Sequence, residues 1–351
     1  MMSCRSTYTL GCRELLVDAA SSALAAQFAT SYHLLSEDAN GAGLDPAPFR
    51  LRIELGSLPT ASATASLAFE GSITPGGHCQ LFIEGGRTLL LFPERGALVV
   101  DSQAMSAHMT IRPGEERSLV SVLGLAAIEA AAFAGGQAVV HAAALTLPGD
   151  TGMILIHAPS GVGKTTTSLA LVAGGFSLES DDVAFISGDN VMKAWGMPRD
   201  LKVHRQSAAM MPWVQPMLTG SWTLENERRL PWQTLNPFRQ RGQCTPRPVA
   251  ALFRLLRVGS RSEIRASDRA QMLASLAADN VRSSRHGLIA MQAHRFQMLA
   301  KLSSSVPVYD LCIGQDLHQL PRLVHECTRA GLSGTSEPHL LQLTKHMPAH
   351  V

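Results

Sequence analysis

Ala158-Pro-Ser-Gly-Val-Gly-Lys-Thr165 has the residue types and spacing to hold a nucleoside triphosphate. Gly161 and Gly163 let a backbone turn tightly enough for its N–H groups to converge on phosphate oxygens. Lys164 is placed to reach the terminal phosphates, and the Thr165 hydroxyl to sit on Mg2+. Ser160, Val162 and Thr166 complete the stretch expected to touch the nucleotide. The pattern asks for Gly where Ala158 stands, and Ala, the smallest substitute, fits there if its φ is negative. The plain alternative is a chance turn rich in Gly, Ser and Thr. Against it stand an apolar run before the loop, Met153-Ile-Leu-Ile156, and a helical pattern after it, Ser168-Leu-Ala-Leu-Val172. A strand leading in and a helix leading out are the context that a phosphate loop needs.

A pair of acids follows. Asp181 stands seventeen residues after Lys164 and is followed at once by Asp182, within Phe176-Ser-Leu-Glu-Ser-Asp-Asp-Val-Ala-Phe-Ile186. Two adjacent carboxylates beside bound phosphate can divide the labour. One holds the metal, and the other accepts a proton from an attacking hydroxyl. An exposed acidic turn is the competing account.

From His141 to Ile186 the chain resembles the catalytic core of HPr kinase/phosphorylase and the HPr-kinase-like proteins of bacterial peptide-tailoring clusters. The likeness rests on a His on a strand (His141-Ala-Ala-Ala-Leu-Thr-Leu147), a turn (Pro148-Gly-Asp-Thr-Gly152), a second strand, the glycine loop, a helix ending at Gly174-Gly175, and the tandem aspartates. It implies an α/β fold with a P-loop kinase core of the HPr kinase/PEP carboxykinase type, using ATP and Mg2+. It further implies Asp181 as general base, Asp182 and Thr165 as metal-side residues, and His141 beside them with Lys164; the two aspartates could exchange roles. His141 also reads as a buried strand histidine bonded to backbone. The chain departs from the family where a Glu-rich signature is expected. Gly196-Met-Pro-Arg-Asp-Leu-Lys-Val-His204 has no Glu, and its Arg199, Lys202 and His204 make it cationic. Arg199 is a candidate phosphate contact. Phosphorylase activity and HPr as substrate are therefore not expected.

The leading expectation is an ATP-dependent kinase acting on a Ser or other hydroxyl of a protein or peptide. Some HPr-kinase-like proteins act in lasso-peptide maturation, so a precursor peptide of that kind is one candidate acceptor. The alternatives are a nucleotide-binding or ATPase module without transferase activity and, more weakly, a PEP carboxykinase. Relatives of this type are often oligomers.

The rest of the chain must position these residues. At 351 residues the prior is two domains. The expected division is a β-rich segment over 1–112, suited to substrate recognition, a catalytic segment over 113–330, and a flexible tail over 331–351. A net charge of +2 and the absence of a basic tract exclude a nucleic-acid binder. Six cysteines without C-x-x-C spacing fit neither a zinc site nor a disulfide framework, and point to a reducing cytoplasm.

Short alternating runs predict strands at Phe49–Leu55, Ala65–Phe69, Gln80–Glu84, Thr88–Phe92 and Ala97–Val100, read as an antiparallel meander with a hairpin at Glu84-Gly-Gly-Arg87. Arg13 to Ala26 fits strand or helix. The apolar stretch Ser118–Gly136 carries Glu129, which argues for a buried helix on the kinase sheet over a membrane span. Met210–Arg241, with Trp213, Trp222 and Trp232, reads as an irregular lid or substrate loop. Pro248–Leu256 and Val306–Leu311 read as strands. Ala266–Leu288, Gln292–Ser303 and Leu317–Ala330 read as helices.

Overall fold

The structure is a computed structural model. It describes residues 3–34, 48–73, 76–149, 152–159, 161–188, 190–238, 244–257, 259–284 and 289–332. Ser160 and nearly all of the expected tail lie outside them.

The first part of the chain forms β1 (Cys4–Leu10), β2 (Arg13–Ala19), α1 (Ser22–Tyr32), β3 (Phe49–Leu55), β4 (Ser66–Ile73), β5 (Gly77–Glu84), β6 (Arg87–Phe92), β7 (Gly96–Asp101) and β8 (Ser106–Ile111). The eight strands make one sheet in the order β1-β2-β3-β8-β7-β6-β5-β4. Alternation explains the buried face: Phe49, Leu51 and Ile53 of β3 point inward while Arg50 and Arg52 face water. The hairpin falls where expected, with Glu84 opposite Arg87 across Gly85-Gly86.

The meander is antiparallel only from β4 to β8. β3 lies parallel to both β2 and β8, which corrects the simpler reading. The ambiguous Arg13–Ala26 stretch is strand then helix. Ser21 ends the extended run and caps α1 by accepting from Leu24 N.

α2 (Glu116–Ala134) follows. Among the described residues it is the one helix long and apolar enough, by length and composition alone, to cross a membrane. Instead it packs against α1 and the first sheet, touching the second sheet at its first strand, so the kinase-sheet placement was incomplete. Its one mid-helix acid, Glu129, is bound by Arg295 Nη2 at 3.1 Å.

The second sheet comprises β9 (Ala138–His141), β10 (Ala143–Thr146), β11 (Met153–His157), β12 (Ser177–Ser180), β13 (Val183–Ser187), β14 (Lys193–Gly196), β17 (Arg247–Arg257), β18 (Glu263–Ala266) and β19 (Val308–Ile313). β15 (Leu201–His204) and β16 (Glu227–Leu230) pair separately. Around them lie α3 (Lys164–Ala173), α4 (Arg205–Met210), α5 (Arg269–Asn280), α6 (Ala290–Ser305) and α7 (Leu320–Leu332). β17 is the hub: it runs parallel to β11 and β19, and its start pairs antiparallel with β14. Every residue of β11 is buried, as a strand covered on both faces requires. Met210–Arg241 contains two 3-10 helices and β16 rather than a wholly irregular loop.

One apolar cluster joins the two sheets. Val183, Phe185, Trp195 and Met197 from β13 and the β14 region pack with α1, α2 and the first sheet. Phe185 and Trp195 stack at 4.3 Å, and Trp195 Nε1 donates to Gln137 Oε1 at 2.6 Å. Among the described residues, no cysteine is joined in a disulfide.

Candidate active site

The residues singled out around the glycine loop converge, and strand register explains how. His141 ends β9 directly opposite Val183, the residue after Asp182. Antiparallel pairing therefore sets the imidazole beside the acidic turn. β14 can approach that turn closely because Gly196 has no side chain: a Cβ there would fall 2.5 Å from the Glu179 carbonyl carbon.

β11 delivers the loop to the N-terminus of α3. Gly161 and Gly163 have φ of +81° and +119°, conformations that favour glycine. Ala158 is fully buried and is not among the residues of positive φ, so the departure at that position carries no strain. No side chain caps α3, which leaves its first N–H groups directed at the loop. Val162 packs on the core beneath.

The polar groups then sort themselves. The Thr165 hydroxyl donates to Asp181 Oδ2 at 2.5 Å. Lys164 Nζ lies 3.2 Å from Asp182 Oδ1, and His141 Nε2 lies 2.8 Å from the same oxygen. Thr166 differs from expectation: its hydroxyl pairs with Ser207 Oγ at 2.6 Å, away from the loop.

The two aspartates are electrostatically unlike. Burial pushes the Asp181 carboxyl up to about 6, against the pull of the Thr165 bond and the Lys164 charge. Its Oδ1 is buried without a hydrogen-bond partner. Burial also raises Asp182, but the His141 bond and the Lys164 charge win and hold it far below the usual carboxylate range. Its side chain remains 56% exposed.

Sequence reasoning missed a third carboxylate. Asp279, near the end of α5, places Oδ2 2.9 Å from His141 Nδ1. Each ring nitrogen thus faces a carboxylate oxygen, a donor's arrangement. The fully buried His157 lies behind, within 3.0 Å of Ser275 Oγ and 3.9 Å of Asp279. No motif marks Asp279; it arrives only through the packing of α5 against β9. Asp268 caps that helix by accepting from Gln271 N at 2.8 Å. Asp268→Ala should destabilise the protein by about 1 kcal/mol. A thermal midpoint lowered by about 2–4 °C would register it, and no shift would remove the cap from the account.

The cationic segment goes elsewhere. Asp200 does not approach the loop: it binds His33 Nε2 at 2.8 Å, Trp232 N at 2.7 Å, and Arg229. Lys202 and His204 are largely exposed beside Glu227. Among the described residues, no three His, Cys, Asp or Glu side chains are grouped as a metal site.

No family model matches the chain, and no curated protein does. Among solved structures it is similar to the Hpr(Ser) kinase/phosphatase from Coxiella burnetii, at 14% identity and a TM-score of 0.27. That match covers 54% of this chain and 93% of the other.

Proposed function

We propose that the chain is an ATP-dependent kinase of the HPr-kinase type, transferring the γ-phosphate to a hydroxyl of a protein or peptide. The observation that carries this reading is the convergence of Lys164, Thr165, Asp181, Asp182 and His141 on one uncapped helix N-terminus. The α3 N–H groups and Lys164 bind the phosphates and offset their charge. The unpartnered Oδ1 of Asp181, beside the Thr165 hydroxyl, fits a divalent cation. Thr165 and Asp181 would hold it there, and Mg2+ would neutralise charge on the transferred group.

The structure favours the exchanged assignment of the aspartates. Asp181 is bound to Thr165 and so lies on the metal side. Asp182 is the more accessible of the two, though the weaker base: its Oδ1 takes the contacts from Lys164 and His141, while the half-exposed side chain stays open to a hydroxyl. A carboxylate held ionised is a weak base, and that suits a loose transition state in which the proton leaves late. Asp279 orients His141, and His141 orients Asp182. This reading gives the β-rich segment over 1–112 a role in acceptor recognition and the 113–330 segment the chemistry. A lasso-type precursor remains one candidate acceptor, and a homo-oligomer the proposed assembly.

Lys164→Ala tests the nucleotide site directly. Loss of one charged contact to phosphate should weaken ATP binding by about 10–100-fold. Titration of ATP·Mg2+ by calorimetry would measure it, and unchanged affinity would sink the phosphate-loop reading.

A further inference from the structure

A polar cavity of about 350 Å³ opens between α1, the start of α2, and the segment joining β14 to β15. Arg117, Arg199 and Arg229 line it, with Asp200 as the carboxylate among its lining residues and Gln27 and Thr30 supplying uncharged polar groups. The charge does not balance. Asp200 is already engaged by His33, the Trp232 N–H and Arg229, and these contacts hold it ionised, down to about 2, despite its partial burial. Among the described residues, neither Arg117 nor Arg199 has a hydrogen-bond or ion-pair partner. Among the described residues, two guanidinium groups thus line one cavity with no carboxylate left for them.

We propose that this cavity is an oxyanion site, taking a phosphate or carboxylate group between Arg117 and Arg199. Planar guanidinium forks match such groups with paired, charge-assisted hydrogen bonds, and repulsion between two uncompensated arginines is relieved when an anion enters. Its position gives the site a use. Met197 N donates to Val183 O at 2.9 Å, so the chain passes the Asp181–Asp182 turn just before it reaches Arg199. An anion held here would lie in the seam where α1 and α2 meet the segment that follows that turn. Its source is either an acidic or phosphorylated residue of the acceptor chain or a free small anion. The site itself stands whether or not the kinase reading does, because none of its arginines belongs to the glycine loop.

Inorganic phosphate and citrate, titrated calorimetrically into the full chain, are the probes. Arg199→Gln and Arg117→Gln should each weaken one binding event at least 10-fold, with the thermal midpoint unchanged. Lys164→Ala should leave that event in place and remove only phosphate bound at the loop. Binding indifferent to both arginine variants would overturn the proposal, as would loss of all phosphate binding in Lys164→Ala. A degenerate serine-peptide array with ATP·Mg2+ then separates the sources. Selection of an acidic residue at a fixed offset, lost in Arg199→Gln, assigns the site to the acceptor. Phosphate binding without such selection assigns it to a free anion.

Discussion

Asp182→Asn is expected to lower phosphoryl transfer by about 10²–10⁴-fold while leaving ATP affinity nearly unchanged. Asn keeps the shape and still accepts from His141 through its carbonyl oxygen, but it cannot take a proton from a hydroxyl. The charge facing Lys164 is also lost, which frees the ammonium for phosphate and argues against weaker nucleotide binding. Transfer of labelled γ-phosphate to peptide serines, and to water as the background acceptor, would quantify the effect. A wild-type rate in Asp182→Asn, with the loss appearing in Asp181→Asn alone and at unchanged metal requirement, would restore the assignment first implied by the family resemblance.

Asp181→Asn should separate metal binding from stability. Its carboxyl titrates near 6 in the folded protein, above the ordinary 3.8, because burial disfavours its charge. A raised folded-state value means that the folded protein binds the proton more tightly than the unfolded chain does. Stability without nucleotide should therefore rise as pH falls from about 6 towards 4, and the buried charge should cost stability at neutral pH. Removing that charge should raise the midpoint of the nucleotide-free protein by about 2–4 °C at pH 7.5, with little gain near pH 4. The same variant should lose most of the extra stabilisation that Mg2+ adds with ATP, and about 10²-fold in transfer rate. Thermal scans at both pH values, with and without ATP·Mg2+, test the two halves together. A variant that still gains wild-type stabilisation from Mg2+ would take Asp181 off the metal side.

Much of the candidate site was legible because its chemistry is local in the chain. Gly161, Gly163, Lys164 and Thr165 lie on one turn, and the positive φ at both glycines is what that turn demands. The aspartates showed as an acidic pair seventeen residues after Lys164, whereas His141 was legible only through the family resemblance, since their meeting depends on the β9–β13 register. Nothing local announced Asp279, which reaches His141 from a helix far along the chain. Arg117 and Arg199 were equally hidden as a pair, because their proximity is a product of how α2 meets the segment after β14. The strands of the first sheet showed in their alternation, as at Phe49–Leu55, yet their parallel neighbours did not: period-two patterning says which face is wet and nothing about strand direction.

The Phe185–Trp195 stack joins β13, which leaves the acidic turn, to its neighbour β14, and its other side closes against the helices packed on the first sheet. Evolution could not exchange that sheet for another module without rebuilding the surface beneath Asp182. Lineages of this protein should therefore keep the two sheets together or lose both, with change concentrated on the outer strands of the first sheet, where nothing underneath has to move.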